Sequence, residues 1–285
     1  MIENICVCGA GTMGSGIALA AAQNGHKVTV FDTNEKVLVS AGAAIDKNLA
    51  FLLDKGKISA AEKQAVMDRV QFSSGINDCK ADLIIEAIIE NADAKIGLFD
   101  KLVAVNDSNS IFASNTSSLS ISLLQKRIPH PERVAGMHFF NPAQVMKLVE
   151  IVKGEQTAAA VTDSLMALCR QWKKTPVLCK DAPGFIVNRV ARHYYLEAMR
   201  LVEQGVATIE SVDAVMEATG FKMGPFKLMD LIGMDINLAV SESIYHAFND
   251  LPRFKPSILQ VNKVKSGDLG KKTGKGFYNY QNDVR

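Results

Sequence analysis

The sequence predicts an α/β fold: a doubly wound, mostly parallel sheet with an inserted helical hairpin, followed by an all-helical C-terminal domain. Short β-branched runs alternate with longer helical patterns over the first two thirds of the chain. A glycine-rich turn joins the first strand to the first helix, and the strand signals stop after residues 181–184. Such alternation is typical of a parallel sheet covered by helices on both faces.

Each element is predicted from its own periodicity and breaker residues. The predicted strands cover residues 5–8, 27–31, 82–85, 110–113 and 133–136. Residues 35–67, between the second and third strands, have helical periodicity that is interrupted at 55–57, which indicates a helical hairpin. Later helices are predicted over residues 185–203, 209–218, 226–232 and 235–248. We therefore predict two domains, 1–182 and 183–285.

The composition is that of an ordinary globular protein. The chain has 285 residues, a formal net charge of +2, 48% hydrophobic residues and 22% charged residues, which excludes a disordered or collagen-like chain. No concentrated basic run favours a nucleic acid or an anionic membrane as a partner. The N-terminus has no secretory signal pattern and no apolar run is long enough to span a bilayer, so we expect a soluble, cytoplasmic protein.

The five cysteines fit reduced thiols in a cytosolic protein better than a disulfide framework, because their number is odd. Cys6 and Cys8 would share one face of a strand and look like half of a metal site. No second pair of Cys or His follows at ligand spacing. We therefore interpret both as small core residues and expect no metal site.

The strongest local motif is the run Gly9-Ala10-Gly11-Thr12-Met13-Gly14, with the spacing G-x-G-x-x-G. A strand precedes it and a helical stretch and second strand follow, which is the context of a Rossmann-type dinucleotide-binding unit. The glycines would permit a tight turn, while the N-terminus of the helix would present N–H groups to a pyrophosphate. A glycine turn kept only for packing is the alternative.

Asp32 stands at the end of the second strand, where a carboxylate can accept hydrogen bonds from the ribose hydroxyls of a dinucleotide. It would repel a 2′-phosphate, and Thr33 and Asn34 follow it in place of an arginine. The sequence therefore favours NAD over NADP. Asp32 could also cap the next helix, a role compatible with the first.

Polar residues follow two later strands, at the sheet edge where open α/β folds bind ligands. They form the runs Ser114-Asn115-Thr116-Ser117-Ser118 and His138-Phe139-Phe140-Asn141-Pro142. Glu150 lies in the centre of an apolar run over residues 148–152. Because burying a lone carboxylate costs several kcal/mol, Glu150 needs a partner, and a nearby imidazolium would serve.

An enzyme that moves a hydride from a carbinol carbon also needs a proton acceptor for the hydroxyl. Imidazole can accept and return that proton near neutral pH. His138 is the best candidate, because His26 and His130 lie in predicted turns and His193 and His246 lie in predicted C-terminal helices.

Together these motifs resemble those of the 3-hydroxyacyl-CoA dehydrogenases, and most closely the short bacterial 3-hydroxybutyryl-CoA dehydrogenases. The resemblance covers nearly the whole chain. Besides the motifs above, it rests on residues 86–91, 147–150, 181–189, 223–226 and 270–278.

The resemblance implies roles for the catalytic residues. His138 would be the general base on the 3-hydroxyl while a hydride passes from C3 to NAD, and Glu150 would orient its ring. Ser117 and Asn188 would hold the substrate oxygen. Simpler roles stay open, since Glu150 could pair with Lys147, Ser117 could be the N-cap of the next helix, and Asn188 could cap or bridge a turn.

The resemblance also implies binding roles. Asn141 would lie against the nicotinamide, and Glu90 and Lys95, with Ser117, would line the dinucleotide site. Lys55 falls in a region that contacts the CoA nucleotide in relatives, although a solvated surface lysine is the alternative. Lys47 and Lys57 would add to the positive field there.

An acyl-CoA substrate of short chain and a homodimer formed through the C-terminal helices are further implications, with the acyl pocket between the two domains. The apolar runs 185–187 and 228–232 could instead form only an internal core. Two other functions stay open. A related dehydrogenase of a free hydroxy or sugar acid would have no use for Lys55, and a non-catalytic NAD-binding protein would have little use for the catalytic residues together.

Overall fold

A computed structural model describes residues 2–280 of the chain. The chain divides into two compact units, Met1–Ala182 and Pro183–Arg285. Among the described residues, no helix is both long enough and apolar enough to cross a membrane.

The N-terminal unit is built on one sheet of eight strands within the described part of the chain. The strands are β1 (Asn4–Cys8), β2 (Lys27–Phe31), β3 (Val70–Ser73), β4 (Leu83–Glu86), β5 (Ile111–Ser114), β6 (Val134–Phe139), β7 (Leu148–Lys153) and β8 (Thr175–Lys180). Their order is β3-β2-β1-β4-β5-β6-β7-β8, and every neighbouring pair is parallel except β6 and β7, which are antiparallel. The predicted doubly wound, mostly parallel sheet is confirmed.

Helices connect and cover these strands. They are α1 (Thr12–Gln23), α2 (Glu35–Asp54), α3 (Ala60–Met67), α4 (Ala92–Val105), α5 (Ile121–Gln125) and α6 (Ala159–Gln171). The predicted hairpin over 35–67 is α2 and α3. Asn34 caps the first of these helices, and Ser59 forms a capping box with Glu62 at the second, so each starts at a residue whose oxygen accepts an orphan N–H.

Trp172, at the end of α6, connects the core to the end of β6. Its ring stacks on Phe139 at a centroid distance of 6.2 Å, and its indole N–H donates to Nε2 of His26 at 2.9 Å. The acceptor nitrogen must be unprotonated for this bond to form. Burial lowers the pKa of His26, although contacts with backbone groups of residues 2 and 3 oppose the shift.

This shift predicts a pH dependence of stability. The pKa of His26 is lower in the folded chain than in the unfolded chain, so acid favours the unfolded state, and the contribution of His26 is lost as the pH falls below about 6.5. We expect the free energy of unfolding to fall less between about pH 7.5 and about pH 5.5 in His26→Asn than in the wild type. Urea unfolding at both pH values measures this, with the exposed His130→Asn as control. An equal fall in the free energy of unfolding for His26→Asn and the wild type would contradict this prediction.

The C-terminal unit is helical. Its helices are α7 (Val187–Glu203), α8 (Ile209–Ala218), α9 (Pro225–Ile232), α10 (Met234–Ala247) and α11 (Ile258–Lys265). The prediction over 209–218 has the observed bounds, and the last helix was not predicted. A core of buried residues that includes Tyr195, Met199, Phe226 and Met229 joins these helices.

Two buried aspartates organise the end of this unit. Asp213 accepts the backbone N–H groups of Phe226 and Lys227 at the start of α9, and Asp230 accepts those of Phe277 and Tyr278. Such donors replace the water that a buried carboxylate loses. A Cβ at Gly276 would lie 2.0 Å from Oδ1 of Asp230, which explains why glycine stands there.

Candidate active site

The glycine-rich turn between β1 and α1 is shaped by close backbone contacts. Gly9 has a φ of 102° and its N–H donates to the carbonyl oxygen of Phe31 at 2.7 Å. A Cβ at Gly14 would lie 1.7 Å from the carbonyl oxygen of Gly9. No larger residue fits either position without moving the backbone.

The N-terminus of α1 has the features of an anion site. Gly11 is the N-cap and supplies no side-chain cap, and the first turn, which begins with Thr12 and Met13, has no acidic residue. The orphan N–H groups and the positive end of the helix dipole therefore suit a phosphate group.

Asp32 follows β2 and lies beside this turn. Its Oδ2 accepts the N–H of Ala10 at 2.9 Å and its Oδ1 accepts that of Asn34 at 2.9 Å. A carboxylate has about four lone-pair positions, so it can also accept ribose hydroxyls. The N-cap of α2 is Asn34, so the alternative that Asp32 caps this helix is wrong.

A cavity of about 750 Å³ lies beside the glycine-rich turn. Its lining includes Gly9, Gly11, Asp32, Ile88 and Ala94. Apolar walls beside a carboxylate at the end of the second strand are typical of the adenosine pocket of a dinucleotide-binding fold.

The His138–Glu150 pair lies on the antiparallel strands of the sheet. His138 is directly opposite Glu150 in the register of β6 and β7, and its Nδ1 lies 2.8 Å from Oε2 of Glu150. Their side chains are 7% and 1% exposed. The sequence placed His138 beyond the end of its strand, whereas β6 extends to Phe139 and includes it. The strand therefore fixes the ring, and a buried carboxylate holds it.

The loop after β5 is held by Glu90. Its Oε1 accepts the hydroxyl of Thr116 at 2.6 Å and the backbone N–H groups of Ser117 and Ser118 at 3.0 and 3.1 Å. Burial alone would raise the pKa of Glu90, but Lys95 and the hydroxyl donors outweigh it, and the pKa is lowered. The N-cap of α5 is Ser120, so the alternative that Ser117 caps it is wrong.

A buried ion pair between Lys95 and Glu86 supports the same loop, because Lys95 also contacts Glu90. The side chains of Lys95 and Glu86 are 1% and 0% exposed. Nζ of Lys95 lies 2.6 Å from Oε1 of Glu86 and 3.2 Å from Oε2 of Glu90. Ser114 donates its hydroxyl to the other oxygen of Glu86 at 2.6 Å. The sequence analysis gave Glu86 no role. A carboxylate at the end of an apolar strand, followed nine residues later by a lysine, could have indicated a buried ion pair.

Asn115 joins the two loops of the site, a role that sequence analysis missed. Its Oδ1 accepts the backbone N–H of Phe139 at 2.8 Å. This bond fixes the strand end that carries His138 relative to the loop that carries Ser117.

The other predicted residues belong to other elements of the chain. Asn141 is exposed after β6, and Asn188 lies in the first turn of α7 in the C-terminal unit. Lys55 is exposed at the end of α2, with its ammonium group 5.7 Å from the centroid of the Phe51 ring. Their roles stay predictions.

A dinucleotide-binding turn and a buried His–Glu pair on one doubly wound sheet define an NAD-dependent dehydrogenase. Residues 4–182 match the NAD-binding domain of 3-hydroxyacyl-CoA dehydrogenase, and residues 184–280 match the C-terminal domain of the same family. The chain belongs to the 3-hydroxyacyl-CoA dehydrogenase family. These matches confirm the predicted family, fold class, NAD cofactor and dehydrogenase class.

Several relatives are similar over most of the chain. The 3-hydroxyadipyl-CoA dehydrogenase of Escherichia coli K12 is 45% identical over 98% of this chain, which spans 59% of that protein. A probable 3-hydroxybutyryl-CoA dehydrogenase of Bacillus subtilis 168 is 40% identical, with 98% of each chain covered. The crystal structure of (S)-3-hydroxybutyryl-CoA dehydrogenase from Ralstonia eutropha has a TM-score of 0.93 at 38% identity, covering 98% of this chain and 99% of that one.

Proposed function

We propose that this chain interconverts (S)-3-hydroxyacyl-CoA and 3-oxoacyl-CoA of short chain length with NAD, using His138 as general acid and base. The observation that carries the proposal is the buried pair in which Nδ1 of His138 lies 2.8 Å from Glu150. A positioned imidazole with a carboxylate behind it can take a proton from a hydroxyl and return it.

In the oxidative direction, bound NAD supplies the hydride acceptor. His138 takes the proton of the 3-hydroxyl, and Nε2 is the nitrogen that exchanges it because Nδ1 faces Glu150. Glu150 stabilises the imidazolium that forms and keeps the ring in one orientation. In the reductive direction, the imidazolium returns this proton to the developing alkoxide.

The remaining site residues are assigned binding roles in this proposal. Ser117 and Asn188 hold the substrate oxygen, and Asn141 lies against the nicotinamide. Glu90 lines the dinucleotide site and holds the loop that carries Ser117, whereas Lys95, which was predicted to line this site too, is buried and acts through its ion pairs with Glu86 and Glu90. Hydroxyl and amide groups suit this task because they donate hydrogen bonds without adding a competing base.

The substrate class is proposed from the family and from one basic surface. Lys55 is exposed, as are Lys47 and Lys57 on or just after the same helix, and they suit the phosphates of a CoA nucleotide. Acetoacetyl-CoA is the proposed test substrate, since relatives of this length carry the name 3-hydroxybutyryl-CoA dehydrogenase.

We also propose a cytoplasmic homodimer. All five cysteines are free thiols, as expected in a reducing compartment. Val190, Leu231 and Ile236 of the C-terminal unit are 66%, 52% and 52% exposed, and a second copy of the chain would cover them. The net charge of +2 gives no reason to propose a nucleic acid or a membrane as a partner. Light scattering after gel filtration tests the dimer, and a monomeric mass would refute it.

The function is tested by the initial rate of NADH oxidation with acetoacetyl-CoA, beside the same assay with NADPH and with free acetoacetate. Turnover only with NADH and the thioester is the expected result. Bound NADH without turnover of the thioester would favour the free-acid dehydrogenase or the non-catalytic alternative. Lys55→Ala separates the CoA-dependent and the free-acid dehydrogenase further. The substitution should raise the KM for the thioester only if Lys55 binds the CoA nucleotide.

Asp32→Ala is expected to weaken NADH binding by about tenfold to a hundredfold, because hydrogen bonds to a charged acceptor contribute about 1.5–3 kcal/mol. NADPH binding should weaken less, since the variant no longer repels the 2′-phosphate. Fluorescence titration of both cofactors measures the ratio, and Asp54→Ala, at the exposed end of α2, is the matched control. An equal loss of affinity for both cofactors would show that Asp32 does not bind the ribose hydroxyls.

A further inference from the structure

Three cysteines of the N-terminal unit converge beside β1. Cys6 and Cys8 lie on one face of β1, and Cys79 follows the short turn Ile76–Asp78. The sulfurs of Cys6 and Cys8 are 3.7 Å apart, and all three lie within 4.8 Å of one another. Each of the three residues is 0% exposed.

This cluster was not predictable from spacing, because Cys79 is more than seventy positions from Cys6 in the sequence. The pair Cys6 and Cys8 alone was interpreted as small core residues, and the fold supplies the third sulfur.

The three thiols are polar partners of one another. Hydrogen bonds from the thiols of Cys6 and Cys8 lower the pKa of Cys79, and the same contacts raise the pKa values of Cys6 and Cys8. A thiolate is the form of cysteine that ligates a metal ion, so each of these thiols would lose its proton on binding one.

The spacing of the sulfurs fits an ion with three ligands. Three sulfurs around one ion at bond lengths of about 2.3 Å are about 4.0 Å apart in a plane, which lies within the observed range. Structural zinc sites need four ligands. Among residues 2–280, no His, Asp or Glu joins the three sulfurs as a fourth.

We propose that Cys6, Cys8 and Cys79 form a binding site for a soft, sulfur-preferring ion that accepts three ligands, with Cu(I) as the representative. Soft thiolate ligands select such ions over harder ones. Each sulfur that binds as a thiolate releases its proton to solvent, three Cu–S bonds form, and copper keeps its oxidation state. The site adjoins the dinucleotide turn, because Cys8 immediately precedes Gly9.

The test is an anaerobic titration of the full chain with Cu(I), in competition with a chromophoric Cu(I) chelator, together with the thermal midpoint of unfolding. We expect the wild type to take one tight equivalent and to unfold at higher temperature when loaded, because a ligand that binds only the folded state stabilises it. Cys6→Ala and Cys79→Ser should each lose that equivalent. Cys179→Ala, which changes a half-buried thiol outside the cluster, should keep it.

Circular dichroism and NADH binding of the metal-free variants establish that they fold. Cys79→Ser is the decisive variant, because serine has nearly the same shape as cysteine but is a poor ligand for a soft ion. A wild type that loses all Cu(I) to the chelator, or a folded Cys79→Ser variant that keeps its equivalent, would overturn the site. Equal stabilisation by Zn²⁺ would overturn the three-coordinate assignment.

Discussion

His138→Gln is expected to lower kcat by about 10²- to 10⁴-fold while leaving NADH affinity unchanged, because general acid–base catalysis contributes about that much. Gln keeps a polar side chain in the strand but cannot exchange a proton near neutral pH. Steady-state rates with acetoacetyl-CoA and a separate fluorescence titration with NADH distinguish catalysis from binding.

A second histidine–carboxylate pair offers a matched control. Nδ1 of His246 lies 2.8 Å from Asp250, the same distance as in the His138–Glu150 pair, but these side chains are 70% and 58% exposed. His246→Gln should leave kcat unchanged. If His138 and Glu150 work as a unit, the double variant with Glu150→Gln should be no slower than His138→Gln alone. Near-normal turnover of His138→Gln would refute the assignment.

Lys95→Met is expected to lower the free energy of unfolding by about 3–5 kcal/mol, because it leaves the carboxylate of Glu86 buried without its counter-ion. Lys95 and Glu86 are 1% and 0% exposed and 2.6 Å apart. Urea unfolding followed by circular dichroism measures the loss. NADH binding should also weaken, since Lys95 contacts Glu90, which holds the loop after β5.

The exposed pair of Arg127 and Asp93 is the control for this prediction. It has a similar distance of 2.7 Å, but its side chains are 58% and 79% exposed. Arg127→Met should therefore change the free energy of unfolding by about 0–1 kcal/mol. The double variant Glu86→Gln with Lys95→Met should recover part of the loss, because no buried charge is left. Equal effects of the two single variants would contradict the role of burial.

Local signals predicted most of the fold. The glycine-rich turn, its flanking strands and the capped hairpin are specified by residues close together in the sequence, so periodicity and breaker residues were enough. Three strands were not among those predicted: β3 (Val70–Ser73), β7 (Leu148–Lys153) and β8 (Thr175–Lys180). The residues of β3 and β8 are half-buried or exposed, which leaves a weak apolar pattern. The last helix, Ile258–Lys265, has a single buried residue, Gln260.

The site was harder to predict from the sequence, because its contacts depend on which strands are neighbours. His138 meets Glu150 only because β7 runs antiparallel to β6 and places them in register. Asn115 reaches Phe139 from the loop after β5, and Cys79 joins Cys6 and Cys8 from the turn before β4. Such contacts follow from topology and register, and no spacing rule in the sequence reports them.

The position of Trp172 in the core of the N-terminal unit has a practical consequence for measuring how the two units unfold. Trp172 is the one tryptophan of the chain and lies in the N-terminal unit, whereas all five tyrosines lie at positions 194, 195, 245, 278 and 280, in the C-terminal unit. Selective excitation of the indole therefore follows the N-terminal unit by itself, and phenol absorbance follows the other. Coincident transitions from the two chromophores would indicate one cooperative folding unit, and separate transitions would indicate two.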